Sequence, residues 1–112
     1  MTNAEAIEAR IQELRLTAPR VVLNHIEGLI VDETYTVLPS GKIMVCELTL
    51  QNGFTVRGEA GVVSRANFNE EIRKRVSREN AVRGIWQLEG YLLQQRLFEQ
   101  AQAELGGSGD SV

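Results

Sequence analysis

The sequence predicts an α+β domain: N-terminal helices, an antiparallel β-hairpin or three-stranded meander, and a long C-terminal helix. Three observations carry that prediction. Asn52-Gly53 separates two β-rich, alternating runs, which is the strongest short-range hairpin signal. Ile7, Ile11 and Leu14 recur at helical spacing ahead of Pro19. From Asn67 onward, Glu70–Lys74, Glu71–Arg75 and Glu79–Arg83 place an acid four residues before a base, the orientation that supports a helix.

Taken in order, residues 4–16 read as an amphipathic helix with Thr2 or Asn3 as its cap. Thr17 is placed to cap a second helix with Pro19 in its first turn and Val22, Ile26, Leu29 and Ile30 on one side. Strands follow at Thr34–Leu38, Ile43–Leu50 and Phe54–Gly58, the first two joined by a Pro39-Ser40-Gly41 turn. Between the last two, Asn52-Gly53 suits a type I′ turn, whose two central residues both need positive φ. Gly58 and Gly61 end the hairpin and lack phosphate-loop spacing. Asn67 with Glu70 resembles a capping box for the long helix, which runs to about Leu105 before Gly106-Gly107-Ser108-Gly109 stops it. One domain over 1–105 with a disordered tail at 106–112 is the expected organisation.

Within the long helix, Phe68, Ile72 and Val76 define one apolar line. Val82, Ile85, Trp86, Leu88, Leu92, Leu93 and Leu97 define a second, wider stripe. At 100° per residue the two do not superpose, so the helix must change partners, kink or restart near Ser77–Asn80. The later stripe, with Tyr91 and Phe98 on the other side, is more apolar surface than one small domain covers, and a homo-oligomer built on residues 82–98 is expected. Glu89 and Arg96 lie inside that arc. They either pair across the symmetry axis or turn out to solvent at its edge.

Composition narrows the function classes. The net charge is -3, but residues 64–98 carry 7 basic and 4 acidic side chains while the flanking segments are acidic. That balance disfavours DNA or RNA as a partner and leaves room for a small anion. No run approaches the roughly 20 apolar residues of a membrane span and no signal peptide is evident, so the host-cell cytoplasm is the expected location. Cys46 stands alone inside an apolar run and reads as a small buried hydrophobe, and His25 has no second metal ligand at useful spacing. With one histidine, one cysteine and no His/Cys/Asp cluster, neither a nucleophile–base pair nor a metal set is credible, and neither enzyme activity nor a cofactor is expected. A phosphate-bearing ligand asks for less: guanidinium donors and an amide or aromatic group to read a base. Arg75, Arg78 and Asn80 at the stripe junction supply such groups, with Trp86 or Tyr91 of a neighbouring subunit as stacking partners. Each also has a plainer reading, as a solvent-facing arginine, a local hydrogen-bonding asparagine or a core tryptophan.

The strings NGFTVRGE, NFNEEI and ENAVRGIWQLEGYLLQQRL resemble a widespread group of small uncharacterised phage and prophage proteins named after a pair of coliphage and Shigella-phage genes. The likeness runs from about Val31 to Leu97. It departs at 58–63, where GEAGVV stands in place of the common GESACV, so any role of that serine or cysteine is absent from this chain. Arg78-Glu79-Asn80-Ala81 and the helix after it are also similar to the C-terminal segment of phage anti-Thoeris and anti-CBASS sponges. Those are oligomers that sequester cyclic nucleotide or cyclic ADP-ribose immune signals. That resemblance implies a ligand contact at Asn80; the aromatic contact three turns earlier is unmatched, Glu70 standing there with Phe68 nearby. The expected function is thus a counter-defence binding protein. The alternative is a non-enzymatic adaptor that docks on a host or phage protein.

Overall fold

The computed structural model describes residues 2–14 and 18–106. Its elements are helices α1 (Asn3–Glu13), α2 (Leu23–Leu29) and α3 (Glu70–Glu104) with strands β1 (Ile30–Val37), β2 (Ile43–Leu50) and β3 (Thr55–Gly61). The strands form one antiparallel meander in the order β1-β2-β3, so the fold is α+β. Among the described residues no helix is long and apolar enough to cross a membrane.

Thr2 caps α1 in a capping box with Glu5. The expected second helix is shorter than its sequence suggests: α2 starts at Leu23 with Val22 as an N-cap that makes no side-chain bond, and Pro19 lies before it rather than in its first turn. Thr17 and the last expected residues of the first helix lie outside the described residues. Ile30 leaves the helix and opens β1, four residues earlier than expected, because it pairs with Leu50 across a bulge between Ile30 and Asp32. Ile30 packs against the core there, while Val31, the extra residue of the bulge, stays exposed.

Strand β2 is the centre of the sheet. Its alternation puts Met44, Cys46, Leu48 and Leu50 on the helix-covered face, all buried, and the buried free thiol of Cys46 behaves as a small hydrophobe there. The β2–β3 loop departs from type I′. Gly53 N–H donates to Leu50 C=O at 2.8 Å and Leu50 N–H to Phe54 C=O at 2.8 Å, so Gln51 and Asn52 are the central turn residues. Gly53 follows at φ 89°, a three-residue loop ending on a left-handed glycine.

Helix α3 is capped by Asn69, whose Oδ1 accepts from Ile72 N–H at 3.0 Å; Asn67 sits instead in a short 3₁₀ turn, Arg65–Asn67, capped by Ser64. The helix is continuous over 35 residues and ends at Leu105, with Gly106 at φ 71°. Its core-facing line is Ser77, Ala81 and Ile85, which meets Ile26, Cys46, Leu48 and Leu50. The junction at Ser77–Asn80 is therefore a change of neighbours, not a kink. Gly58 explains why small residues stand there: a Cβ added to it would lie 2.2 Å from the Ala81 amide nitrogen and 2.4 Å from the Ser77 carbonyl oxygen. Gly58 does not end a strand; it lies inside β3 and lets the helix backbone rest on the sheet.

Candidate functional site

The residues around the α3 junction divide into those that hold the fold and those that face an open cavity. Arg78 holds the fold. Its guanidinium reaches Glu27 of α2 at 3.1 Å and Glu33 of β1 at 3.3 Å, tying three elements together. The Tyr35 hydroxyl donates to Glu33 at 2.6 Å, and the Lys74 ammonium lies 5.5 Å from the Tyr35 ring centroid. The Tyr35 hydrogen bond, then Arg78, holds the Glu33 carboxyl below its usual pKa; burial, then Glu33, pushes the Tyr35 phenol well up.

Asn80 is also engaged within the chain. Its Nδ2 donates to the Glu59 carbonyl oxygen at 2.7 Å, and Arg73 from the previous turns donates to Gly61 C=O at 2.9 Å. Arg75 is exposed and forms no ion pair among the described residues; of the three expected acid–base pairs only Glu70–Lys74 closes, at 3.9 Å. Trp86 is half-buried against the hydrophobic cluster. Tyr91 lies beyond the sheet, 70% exposed.

Arg78 and Trp86 come together at an open cavity of about 540 Å³ between the first turn of α1, α2 and α3. Arg75, Asn80 and Tyr91 do not line it. Sequence reasoning did not assign to the site Arg83, which is exposed on the same wall, or Glu5, Glu27 and Glu79, three carboxylates that set acid beside the two guanidiniums in the lining. Arg83 stood within the basic segment, and its four-residue spacing from Glu79 was legible, but nothing in the sequence showed that α1 would pack opposite it. What the cavity can do chemically is bind: two guanidinium groups and an indole converge on one volume. Among the described residues, no group of three or more His, Cys, Asp or Glu could hold a metal ion.

Glu89 has its partner within the chain. His25 Nε2 lies 2.6 Å from its Oε1. Beyond Glu89 the helix leaves the sheet as an arm on which Leu92, Phe98 and Leu105 are exposed.

Residues 21–97 match the model of the Phage protein (N4 Gp49/phage Sf6 gene 66) family, which is more than half of the 112 residues, and the chain belongs to that family. No curated protein and no solved structure matches it.

Proposed function

We propose that this phage-family protein works by binding rather than by catalysis, as a homo-oligomer joined through residues 82–98 that sequesters a cyclic nucleotide or cyclic ADP-ribose immune signal in the host cytoplasm. The observation that carries the ligand half is the cavity where Arg78, Arg83 and Trp86 converge. Its volume of about 540 Å³ falls in the range of small-molecule sites. Guanidinium forks suit phosphate oxygens, and an indole face suits a base. Arg78 joins such a complex by exchanging one of its two carboxylates for a phosphate. Arg83 forms no ion pair among the described residues and is the donor already available.

Calorimetric titration against cyclic dinucleotides, cyclic trinucleotides and cyclic ADP-ribose isomers tests this reading. Arg83→Ala should weaken binding about ten- to hundredfold, the loss of one charge-assisted contact of roughly 1.5–3 kcal/mol. Arg57→Ala, on the opposite face of the sheet, is the charge-matched control and should change nothing. Absence of heat with the wild type for every panel member overturns the sequestration reading.

The exposed arm favours a second reading, an adaptor that docks on a host or phage protein. Leu92 is 43% exposed on the turn where the helix leaves the sheet. A single partner retained by the wild type and lost by Leu92→Glu, with no ligand heat, selects the adaptor.

A further inference from the structure

The two edges of the sheet differ in what covers them. Along β3, Leu50 N–H donates to Phe54 C=O and Val62 N–H to Lys42 C=O, so the even-numbered residues bond to β2 and Thr55, Arg57, Glu59 and Gly61 turn their backbone groups outward. That edge is sealed over its second half. The outward carbonyls of Glu59 and Gly61 already accept from Asn80 at 2.7 Å and Arg73 at 2.9 Å.

Along β1, Leu38 N–H donates to Ile43 C=O, so Thr36, Thr34 and Asp32 bond to β2 while Glu33, Tyr35 and Val37 present their backbone groups to the open edge. Among the described residues only Glu33 N–H has a partner there, the adjacent Asp32 carboxylate at 2.9 Å. Val31 and Val37 flank this row, 60% and 46% exposed. The strand also reads as its own complement: Val31-Asp32-Glu33-Thr34-Tyr35-Thr36-Val37 has two acids on one side of Thr34 and two hydroxyls on the other.

From the open β1 edge, the partly sealed β3 edge and this symmetry we infer that β1 pairs antiparallel with β1 of a second copy, with Thr34 on the two-fold axis. In that register Asp32 meets Thr36 and Glu33 meets Tyr35, so every acid faces a hydroxyl donor and no two like charges are opposed. Glu33 and Tyr35 exchange their backbone bonds on either side of the axis. The Asp32 carboxylate releases its own chain's amide for the partner strand and takes the hydroxyl of the partner's Thr36. The product is one six-stranded sheet with both α3 helices on the same face. The covered second half of each β3 disfavours further growth of the sheet from that edge. This contact is separate from the one proposed at residues 82–98.

Oxidative cross-linking and sedimentation test it with the full chain. Thr34→Cys places the two thiols in a non-hydrogen-bonded pair with Cα atoms about 4.5 Å apart, inside the roughly 4.4–6.8 Å that disulfides span. It should cross-link to dimer on mild oxidation. Thr36→Cys faces the partner's Asp32 and should stay reduced, as should the wild type, whose Cys46 is buried. Thr36→Glu sets like charges opposite each other twice per dimer and should raise the dissociation constant about fivefold or more; Thr36→Lys should lower it. Both variants sit on the exposed face of β1, away from the core. A wild type that sediments as a monomer at every concentration overturns the inference, as does equal cross-linking of the two cysteine variants. So does a dimer that survives Thr36→Glu but falls apart with Leu92→Glu, which would assign self-association to the α3 arm instead.

Discussion

Replacing Gly58 with Ala should be the most damaging single-methyl change in this protein. The added Cβ would lie 2.2 Å from Ala81 N, 2.4 Å from Ser77 O and 2.7 Å from Asn80 C, all backbone atoms of α3. None can step aside without moving the helix. To reach an ordinary contact near 3.4 Å the helix must retreat by about 1 Å, and a gap of that size forfeits a quarter to a half of each dispersion contact it opens. Ile85, fully buried at this interface, makes on the order of 40–60 contacts of roughly 0.1–0.2 kcal/mol each, so its share of the loss is about 1–6 kcal/mol. We expect at least about 3 kcal/mol of destabilisation, which for a domain near 100 residues lowers Tm by more than about 12 °C. Urea and thermal unfolding followed by circular dichroism measure it. Ala81→Gly should not rescue the variant, because the obstruction is the Ala81 amide and not its methyl group. A Tm within about 2 °C of wild type, or full rescue by Ala81→Gly, would refute the close-approach reasoning.

Other perturbations separate backbone, electrostatic and assembly effects. Gly53→Val must adopt φ 89°, and since a Cβ there meets no atom within 4 Å the cost is that of the backbone, about 1–2 kcal/mol of strain, with binding unchanged. Arg78→Ala unties α2, β1 and α3 together; since its carboxylate partners are 44% and 40% exposed, solvent screens the loss to roughly 1 kcal/mol at neutral pH, read from the urea midpoint. Glu33 has its pKa lowered on folding, so its contribution is present above the unfolded value near 4.5 and fades as pH falls through the folded value; Tyr35→Phe should flatten that acid limb of the stability curve. Tyr35 is shifted the other way, so wild-type stability should fall as pH rises past the phenol's ordinary value of 10.0, a loss that Tyr35→Phe removes. Leu92→Ala, on the exposed arm, should lower the mass found by light scattering while shifting Tm little.

Strand β2 was legible to the residue because Met44, Cys46, Leu48 and Leu50 alternate with half-exposed or polar neighbours, and a central strand shows this period most clearly. The core face of α3 was legible only in part: Ile85, with Val82 and Trp86 beside it, lay in the expected stripe and meets the core, whereas Ser77 and Ala81 did not stand out. Ser77 and Ala81 stand where the helix backbone meets Gly58, whereas Ile72 and Leu92, large apolar residues that catch the eye, are exposed. Reading a helix by its biggest side chains fails where backbone-to-backbone approach sets the contact. The site was half legible for a similar reason. Arg78 and Trp86 stood out by type, but the partners of Arg78 are 51 and 45 residues away, and only the fold reveals that it is engaged and that Arg83 is not. Asn80 stood out as a ligand contact, yet in the fold it closes the edge of a strand 21 residues earlier.

The seat of α3 on Gly58 also has a mechanical meaning. A continuous helix seated on the sheet at Ala81 acts as a lever, and Leu105 lies roughly 36 Å from that seat at 1.5 Å per residue. A tilt of about 5° at the grip, a fraction of an ångström among the side chains there, therefore swings the tip by about 3 Å. Arg78 and Arg83 sit within one turn of that pivot and the apolar arm occupies the long end. Small rearrangements in the cavity are thus magnified where the arm meets whatever it touches.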